Sequence, residues 1–535
     1  MKSIKKFLAV ILSMTLMLTL GTATFGAQKT LPSGKDTGSI NVTNLKPGDT
    51  VTAYQFVKAD YNEYGFTGYS AINNYVKDPV APTAQEVIDM ASNAATMTVA
   101  AEKKVATGDT EVTLNGLPVG YYLVMVTSGS ETVYSPMIAG IYYSKSATDN
   151  TLTNGAISAD SDFEIKAQKC WAKSSTPKLE KTIVTPSSKN SKGDDIAIGD
   201  KITFNLSATV PSYSKEYKKV TYKIYDIMSE GLDYVDGSMK CFIEKYENNR
   251  ENIKVTPKVN GGIIEITFDS KFILEHPGQK IQVEYQAKLN EKAGVNFDAN
   301  INKAYLEYSN NPASGSTAKT GEDKVYVYTF GIDSNLFGKS TEKWNGKTKE
   351  LIKVEEGEYQ WVETEKESGI FTTTTALEGA TFTLTNNKTK KSYTATSDKY
   401  GYLKFTGLDA GEYTLQETDA PDGFTLNDAK HTVVITAEYN QDGTLKSYTI
   451  KIDDKATSTY TATYDKGVIK TITSTKDSQG NISESAILKN SKMSFLPSTG
   501  GVGTTIFAIV GVVFVAAALG LHMILRGKSK LEQDR

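Results

Sequence analysis

The sequence predicts an all-β protein built from tandem immunoglobulin-like β-sandwich domains. Short runs of alternating apolar and polar residues recur along the chain, as in "GDKITFNLSATVP" and "QKIQVEYQAKL", with turn residues between them. Tyr (30 residues) and Gly (42) are abundant while Pro is modest (14), a balance that favours strands and turns over disorder. The 535 residues are too many for one core and suit three or four domains.

The chain opens with "MKSIKKFLAVILSMTLMLTLGTATFGA": basic residues, a short apolar run, then small residues. This is the layout of a secretory signal peptide, assigned to residues 1–27, so the mature protein is expected outside the cell. The remaining charge is balanced, with 59 basic and 62 acidic residues and a formal net charge of −3. No basic stripe marks a nucleic-acid partner. Exported proteins often rely on disulfides, yet Cys170 and Cys241 allow one bridge at most, so stability must come from elsewhere. His276, His431 and His522 are scattered, and no zinc spacing, Ser/His/Asp order, P-loop or dinucleotide fingerprint occurs. No metal, cofactor or enzyme activity is therefore expected.

Three β-rich units follow. The first, residues 28–173, has strands such as "TVTAYQFV", "GYYLVMVT" and "SPMIAGIYY". They are interrupted by "PTAQEVIDMASNAATM", in which Thr83 and Glu86 form a capping box. Val87, Met90, Ala91 and Ala94 make a helical stripe, which predicts one short helix. The second unit, residues 174–323, reads as strands "KLEKTIV", "KVTYKIYDIM", "GGIIEITF" and "NKAYLEYSNNP" beside the two quoted above. The third, residues 324–492, contains "ALEGATFTLTN", "GEYTLQETDAPDGF" and "LKSYTIKI".

The C-terminus is the most specific signal. Residues 504–525 are long and apolar enough to cross a bilayer, and Arg526, Lys528 and Lys530 would hold the end in the cytoplasm. Immediately before them stands Leu496-Pro497-Ser498-Thr499-Gly500. Residues 496–535, with motif, apolar helix and basic tail in this order, resemble the cell-wall sorting signal of Gram-positive surface proteins. The resemblance implies cleavage by a sortase between Thr499 and Gly500, with the Thr499 carbonyl held as a thioester until an amine takes it. Proline pre-bends such a peptide and glycine lets the enzyme approach the scissile carbonyl. On this reading the helix is discarded and membrane contact is transient.

The body carries a related resemblance. "KLEKTIV…GDKITFNLSATVP…YKIYDIMSEGLDY…NKAYLEYSNNP" is similar to the CnaA-type middle domain of backbone pilins. "LEGATFTL…GYLKFTGLDAGEYTLQETDAPDGF" is similar to the CnaB-type domain of pilins and adhesins, with its glutamate-bearing E-box. Such domains commonly hold a self-formed Lys–Asn isopeptide bond promoted by a buried Asp or Glu. A buried lysine can present a neutral amine, and a buried carboxyl can stay protonated, polarise the Asn carbonyl and shuttle protons while ammonia leaves.

All three groups must then face the core, and strand parity tests this. Lys181 shares its face with Leu179 and Ile183, Asp226 with Tyr222 and Ile224, and Asn302 with Ala304, Leu306 and Tyr308. In the third unit Glu417 lies with Tyr413 and Leu415, and Asn490 with Leu488. Buried unpaired, each would cost several kcal/mol. The resemblance places the third-unit lysine soon after "VYTFGI", where Lys339 is the choice and Lys343 the runner-up. The first unit has Val126 where an E-box glutamate would stand, so no bond of this kind is expected there.

A backbone pilin also needs an amine to receive the neighbouring subunit's threonine. In the family this is a lysine in a Tyr-Pro-Lys-Asn-like motif after the first domain. Trp171-Ala172-Lys173-Ser174 follows the order aromatic, small, Lys, polar, without the proline; Lys173 is the expected acceptor and Lys178, in "TPK", the runner-up. The resemblance thus implies the shaft subunit of a covalent cell-wall pilus. Its expected partners are pilus-specific and housekeeping sortases, copies of itself, tip and base minor pilins and peptidoglycan. A wall-anchored adhesin or minor pilin shares these domains without needing an acceptor lysine. A wall-attached hydrolase finds no catalytic constellation.

Overall fold

The computed structural model describes residues 31–475, apart from breaks at 130, 146–155, 159–162, 185–189, 247–248, 333–337, 340–347, 354–358, 365–377, 398–402 and 454, and also residues 487–488. The signal peptide, the sorting motif and the expected membrane helix at 504–525 lie outside the described residues. Sandwiches of β-sheet dominate, as the alternating sequence requires, with two short α-helices among the described residues.

In the first unit, strand Thr37–Thr43 runs parallel to Lys169–Trp171 and antiparallel to Glu111–Pro118. The facing sheet is ordered Gly65–Ala71, Thr50–Asn62, Gly120–Thr127, Met137–Ser144, Glu164–Ala167. Ile40, Val42, Val51, Leu114, Tyr122, Val124, Ile141 and Tyr143 fill the space between the sheets. The predicted helix is present at Ala84–Ser92, with the Thr83–Glu86 capping box formed and Val87, Ile88, Met90 and Ala91 buried. It covers the outer face of the larger sheet against Phe56, Val57, Tyr121 and Leu123. Strand Gly120–Thr127 is consequently buried on both faces and reads as a nearly continuous apolar run.

The middle unit is a sandwich of two larger sheets. One is ordered Leu179–Ile183, Lys201–Thr209, Lys280–Leu289, Lys240–Tyr246, Asn249–Ile253. The other is ordered Gly193–Asp195, Asp323–Tyr328, Asn300–Asn311, Tyr222–Met228, Ile263–Thr267, Lys258–Asn260. Its core includes Phe204, Leu206, Ile224, Ile264, Val283, Tyr285, Leu306 and Tyr308. The third unit has a seven-stranded antiparallel sheet running from Ser392–Thr396 at one edge to Val468–Thr475 at the other, faced by the pair Phe330–Ile332 and Phe405–Leu408. Cys170 and Cys241 are free and buried in separate cores, and burial pushes both thiols up to about 12.

The units are closely joined. Ser174–Ser175 pairs with Val133–Tyr134 of the first unit, and the ammonium of Lys46 donates to Thr132 Oγ1 (2.6 Å) and Thr176 Oγ1 (3.0 Å). Strand Asp323–Tyr328 belongs to the middle sheet, yet its Tyr326 and Tyr328 side chains join the third core. Beside it Gly193 meets Gly443 backbone to backbone: a Cβ on Gly193 would stand 2.2 Å from the Gly443 carbonyl oxygen. Gly443 itself has φ +88°, which favours glycine there on conformational grounds as well. Asp195, in the same segment, accepts hydrogen bonds from Tyr439 Oη and Ala410 N, both 2.5 Å. Ile198 N donates to Gly407 O (3.0 Å), and Lys391 Nζ to Ile198 O (2.6 Å).

Candidate functional site

The middle core contains three ionisable or amide side chains that an all-apolar packing would exclude. Lys181, Asp226 and Asn302 are all fully buried, with 0% exposure. Period-two alternation puts them there, because each shares its face with the apolar neighbours two residues away. Lys181 comes from the first strand of one sheet. Asp226 and Asn302 lie on adjacent antiparallel strands of the other, where Asp226 pairs with Ala304 and Met228 with Asn302. The three converge across the sandwich rather than within one sheet.

The ammonium of Lys181 contacts Asp226 Oδ2 directly and donates to Tyr285 Oη at 3.1 Å. Tyr285 donates to Asp226 Oδ1 at 2.7 Å and accepts from Asn302 Nδ2 at 2.7 Å. The Asn302 carbonyl oxygen is buried without a hydrogen-bond partner among the described residues. Phe204 and Tyr285 place their rings 4.9 and 5.3 Å from the lysine nitrogen. Burial lowers the Lys181 pKa, opposed by the Asp226 charge and hydrogen bond. Burial, with the Asp226 charge, raises that of Tyr285 well above its usual value. The arrangement therefore favours a deprotonated amine beside a carboxyl group and an amide whose carbonyl is unengaged.

Tyr285 was not among the residues singled out from sequence. In "QKIQVEYQAKL" it alternates with Val283 and Ala287 and looks like ordinary core. The available signal was its hydroxyl, since a tyrosine on a wholly inward face needs a polar partner. Around the site, Asp323 accepts from Lys181 N (2.7 Å) and Lys192 Nζ (2.6 Å), while the same ammonium donates to Lys181 O (2.6 Å). The backbone carrying the nucleophile is thereby fixed on both its polar groups.

In the third unit Glu417 is 2% exposed, on the apolar face with Tyr413 and Leu415, and accepts from Asn427 N at 2.8 Å. Gly338–Lys339 runs parallel to Ile487–Leu488, with Lys339 paired to Leu488. Leu488 precedes Asn490 by two residues in sequence; Asn490 and Lys343 lie outside the described residues. Val126 of the first unit is a core residue.

At the junction of the first two units, Ala172 N donates to Thr43 O (2.9 Å) and Ser135 N donates to Lys173 O (3.0 Å). Ala172 is buried, while Lys173 and Lys178 are exposed and Trp171 is 65% exposed. The backbone is held from both sides and the lysine is presented outward beside an exposed indole.

Three family models match parts of the chain. Residues 35–174 match the T6 antigen Ig-like domain, residues 370–451 the SpaA prealbumin-like fold domain, and residues 489–530 the LPXTG cell wall anchor motif. The trypsin-resistant surface T6 protein of Streptococcus pyogenes serotype M6 is 26% identical over 549 residues, covering 93% of this chain and 96% of its own. The solved T6 backbone pilin of serotype M6 S. pyogenes superposes with a TM-score of 0.57 at 21% identity, over 86% of this chain and all of that one. The full-length major pilin SpaD of Corynebacterium diphtheriae aligns at a TM-score of 0.46 and 17% identity, over 75% of this chain and 91% of its own. The chain is a cell-wall-anchored Gram-positive surface protein with the fold of a backbone pilin.

Proposed function

We propose that this protein is the shaft subunit of a covalent, sortase-assembled pilus, divided into the three units 28–173, 174–323 and 324–492. The observation that carries the reading is an exposed, backbone-anchored Lys173 in a chain that ends in a matched wall-anchor motif. Sortase cleaves between Thr499 and Gly500 after recognising Leu496, Pro497 and Ser498, and transfers the Thr499 carbonyl to Lys173 of the next copy. A lysine attacks only as the neutral amine, so the sortase must take up the proton that the transfer releases. Tip and base minor pilins, a housekeeping sortase and peptidoglycan complete the set of partners.

Within each subunit the chemistry is single-turnover and self-directed. The proton of the Lys181 ammonium passes to Asp226, which removes a buried charge pair. The neutral amine attacks Asn302 Cγ; the Nζ–Cγ bond forms, the Cγ–Nδ2 bond breaks, and one ammonia leaves. A second bond joins Lys339 to Asn490 with Glu417 as the promoting acid. These links serve as disulfides would, without an oxidant.

Immunoblots of wall extracts test the assembly. A high-mass ladder is expected from the wild type, none from Lys173→Ala, and none from Lys173→Arg, whose guanidinium stays protonated. Lys173→Ala monomers should still reach the wall, whereas loss of residues 496–500 should block both polymer and attachment. A single wall-linked band in the wild type would make the protein a monomeric adhesin. Ladder loss in Lys178→Ala alone would move the acceptor to the lysine beside Pro177.

A further inference from the structure

The departing amide nitrogen of Asn302 must gain a proton before it leaves as ammonia, yet Asp226 and Asn302 share no hydrogen bond among the described residues. Asp226 receives the lysine proton on Oδ2, the oxygen that faces the nucleophile. Its other oxygen, Oδ1, is bound by Tyr285, and the same phenol oxygen receives the Asn302 Nδ2–H. A tyrosine hydroxyl offers one donor and two acceptor positions. Here all three are taken by the carboxylate, the amine and the amide that react. Nucleophile and leaving nitrogen both bind this one oxygen, so they are no further apart than two hydrogen bonds end to end.

Resting on the crosslink reading above, we propose that Tyr285 is a catalytic residue of bond formation, which relays a proton from Asp226 to the departing nitrogen of Asn302. As the Cγ–Nδ2 bond breaks, the phenol gives its proton to Nδ2 and takes the lysine-derived proton from Asp226, whose carboxyl turns to present it. Nζ sheds its second proton to the Asp226 carboxylate as it becomes an amide nitrogen, so the phenol is restored, Asp226 ends protonated and neutral ammonia leaves. No water or external acid is required, which suits a site where all four groups are fully buried. Burial also keeps the phenol neutral, the form that conducts protons in this way.

The test uses the full chain, solubilised in detergent from cells lacking sortase, and follows the branched Lys181–Asn302 tryptic peptide after synthesis is stopped. In the wild type the peptide should be complete at the earliest time. In Tyr285→Phe, which keeps the ring, it should form at least about a hundredfold more slowly, the usual scale for loss of a proton-transfer group. In Asp226→Ala it should not form at all. Melting separates chemistry from folding: the uncrosslinked Tyr285→Phe chain should melt no lower than the uncrosslinked Asp226→Ala chain. Tyr285→Phe crosslinking as fast as the wild type would overturn the relay while leaving the bond intact. Melting well below Asp226→Ala would also overturn it, because the hydroxyl would then be needed for packing. A wild type without the branched peptide would remove the crosslink reading itself, and the relay with it.

Discussion

Asn302→Ala isolates the mechanical value of the proposed middle-unit bond. It removes the electrophile but leaves the Lys181–Asp226 pair and the Tyr285–Asp226 hydrogen bond in place. A link from residue 181 to residue 302 closes a loop of about 120 residues, which by the entropy of loop closure contributes about 5 kcal/mol. Nδ2 leaves as ammonia when the bond forms, so its hydrogen bond to Tyr285 is absent from the crosslinked chain and does not enter the comparison. The loss is about 5 kcal/mol, and for a unit of this size each kcal/mol moves the melting point by about 2–4 °C. Calorimetry of residues 28–495 should therefore show the middle transition falling by roughly 10–20 °C. Against the mass calculated from its own sequence, the variant should have lost one ammonia fewer than the wild type. A melting point within a few degrees of the wild type would refute the reasoning, because no covalent loop would then have been opened.

Two further outcomes are expected. Glu417→Ala should abolish a crosslink ending at Asn490, with tryptic mapping of the wild type placing its other end at Lys339; a branch at Lys343 would correct only the lysine. Burial raises the Asp195 carboxyl to about 6, against hydrogen bonds from Tyr439 and Ala410 that act to lower it, with Asp194 and Asp409 adding to the rise. The unfolded value is about 3.9, so between about pH 4 and about pH 6 the folded chain holds a proton that the unfolded chain has lost. This contribution is present below about pH 4 and is lost as pH rises through about 6. Asp195→Asn should flatten that part of the pH–stability curve; identical curves for variant and wild type in chemical denaturation would count against a protonated Asp195 at the joint.

Parity alone was enough to turn Lys181, Asp226, Asn302 and Glu417 inward, because a polar residue between apolar neighbours two positions away has no other face to occupy. The capping box at Thr83 likewise announced its helix through local chemistry. Contacts between distant strands left no such trace. Tyr285 gains its role from two strands of the opposite sheet, and the parallel pairing of Lys339 with Leu488 joins segments far apart in the chain. The hairpin from Lys455–Asp465 to Val468–Thr475 extends the third sheet beyond the strands singled out from sequence. Its Thr- and Tyr-rich alternation is strand-like, but nothing local says which edge it will join.

The glycine contact between the middle and third units bears on how a filament of these subunits would bend. Where two surfaces meet through side chains, a joint can tilt by rotamer changes at little cost. Gly193 and Gly443 leave no side chain to yield, and the flanking bonds from Ile198, Ala410 and Tyr439 act at different points around the contact. Tilting must stretch the Ile198–Gly407 backbone bond or the two bonds to Asp195, or drive one main chain into the other. Bending of the proposed filament would therefore fall on its other joints, among them the proposed Lys173–Thr499 linkages between subunits.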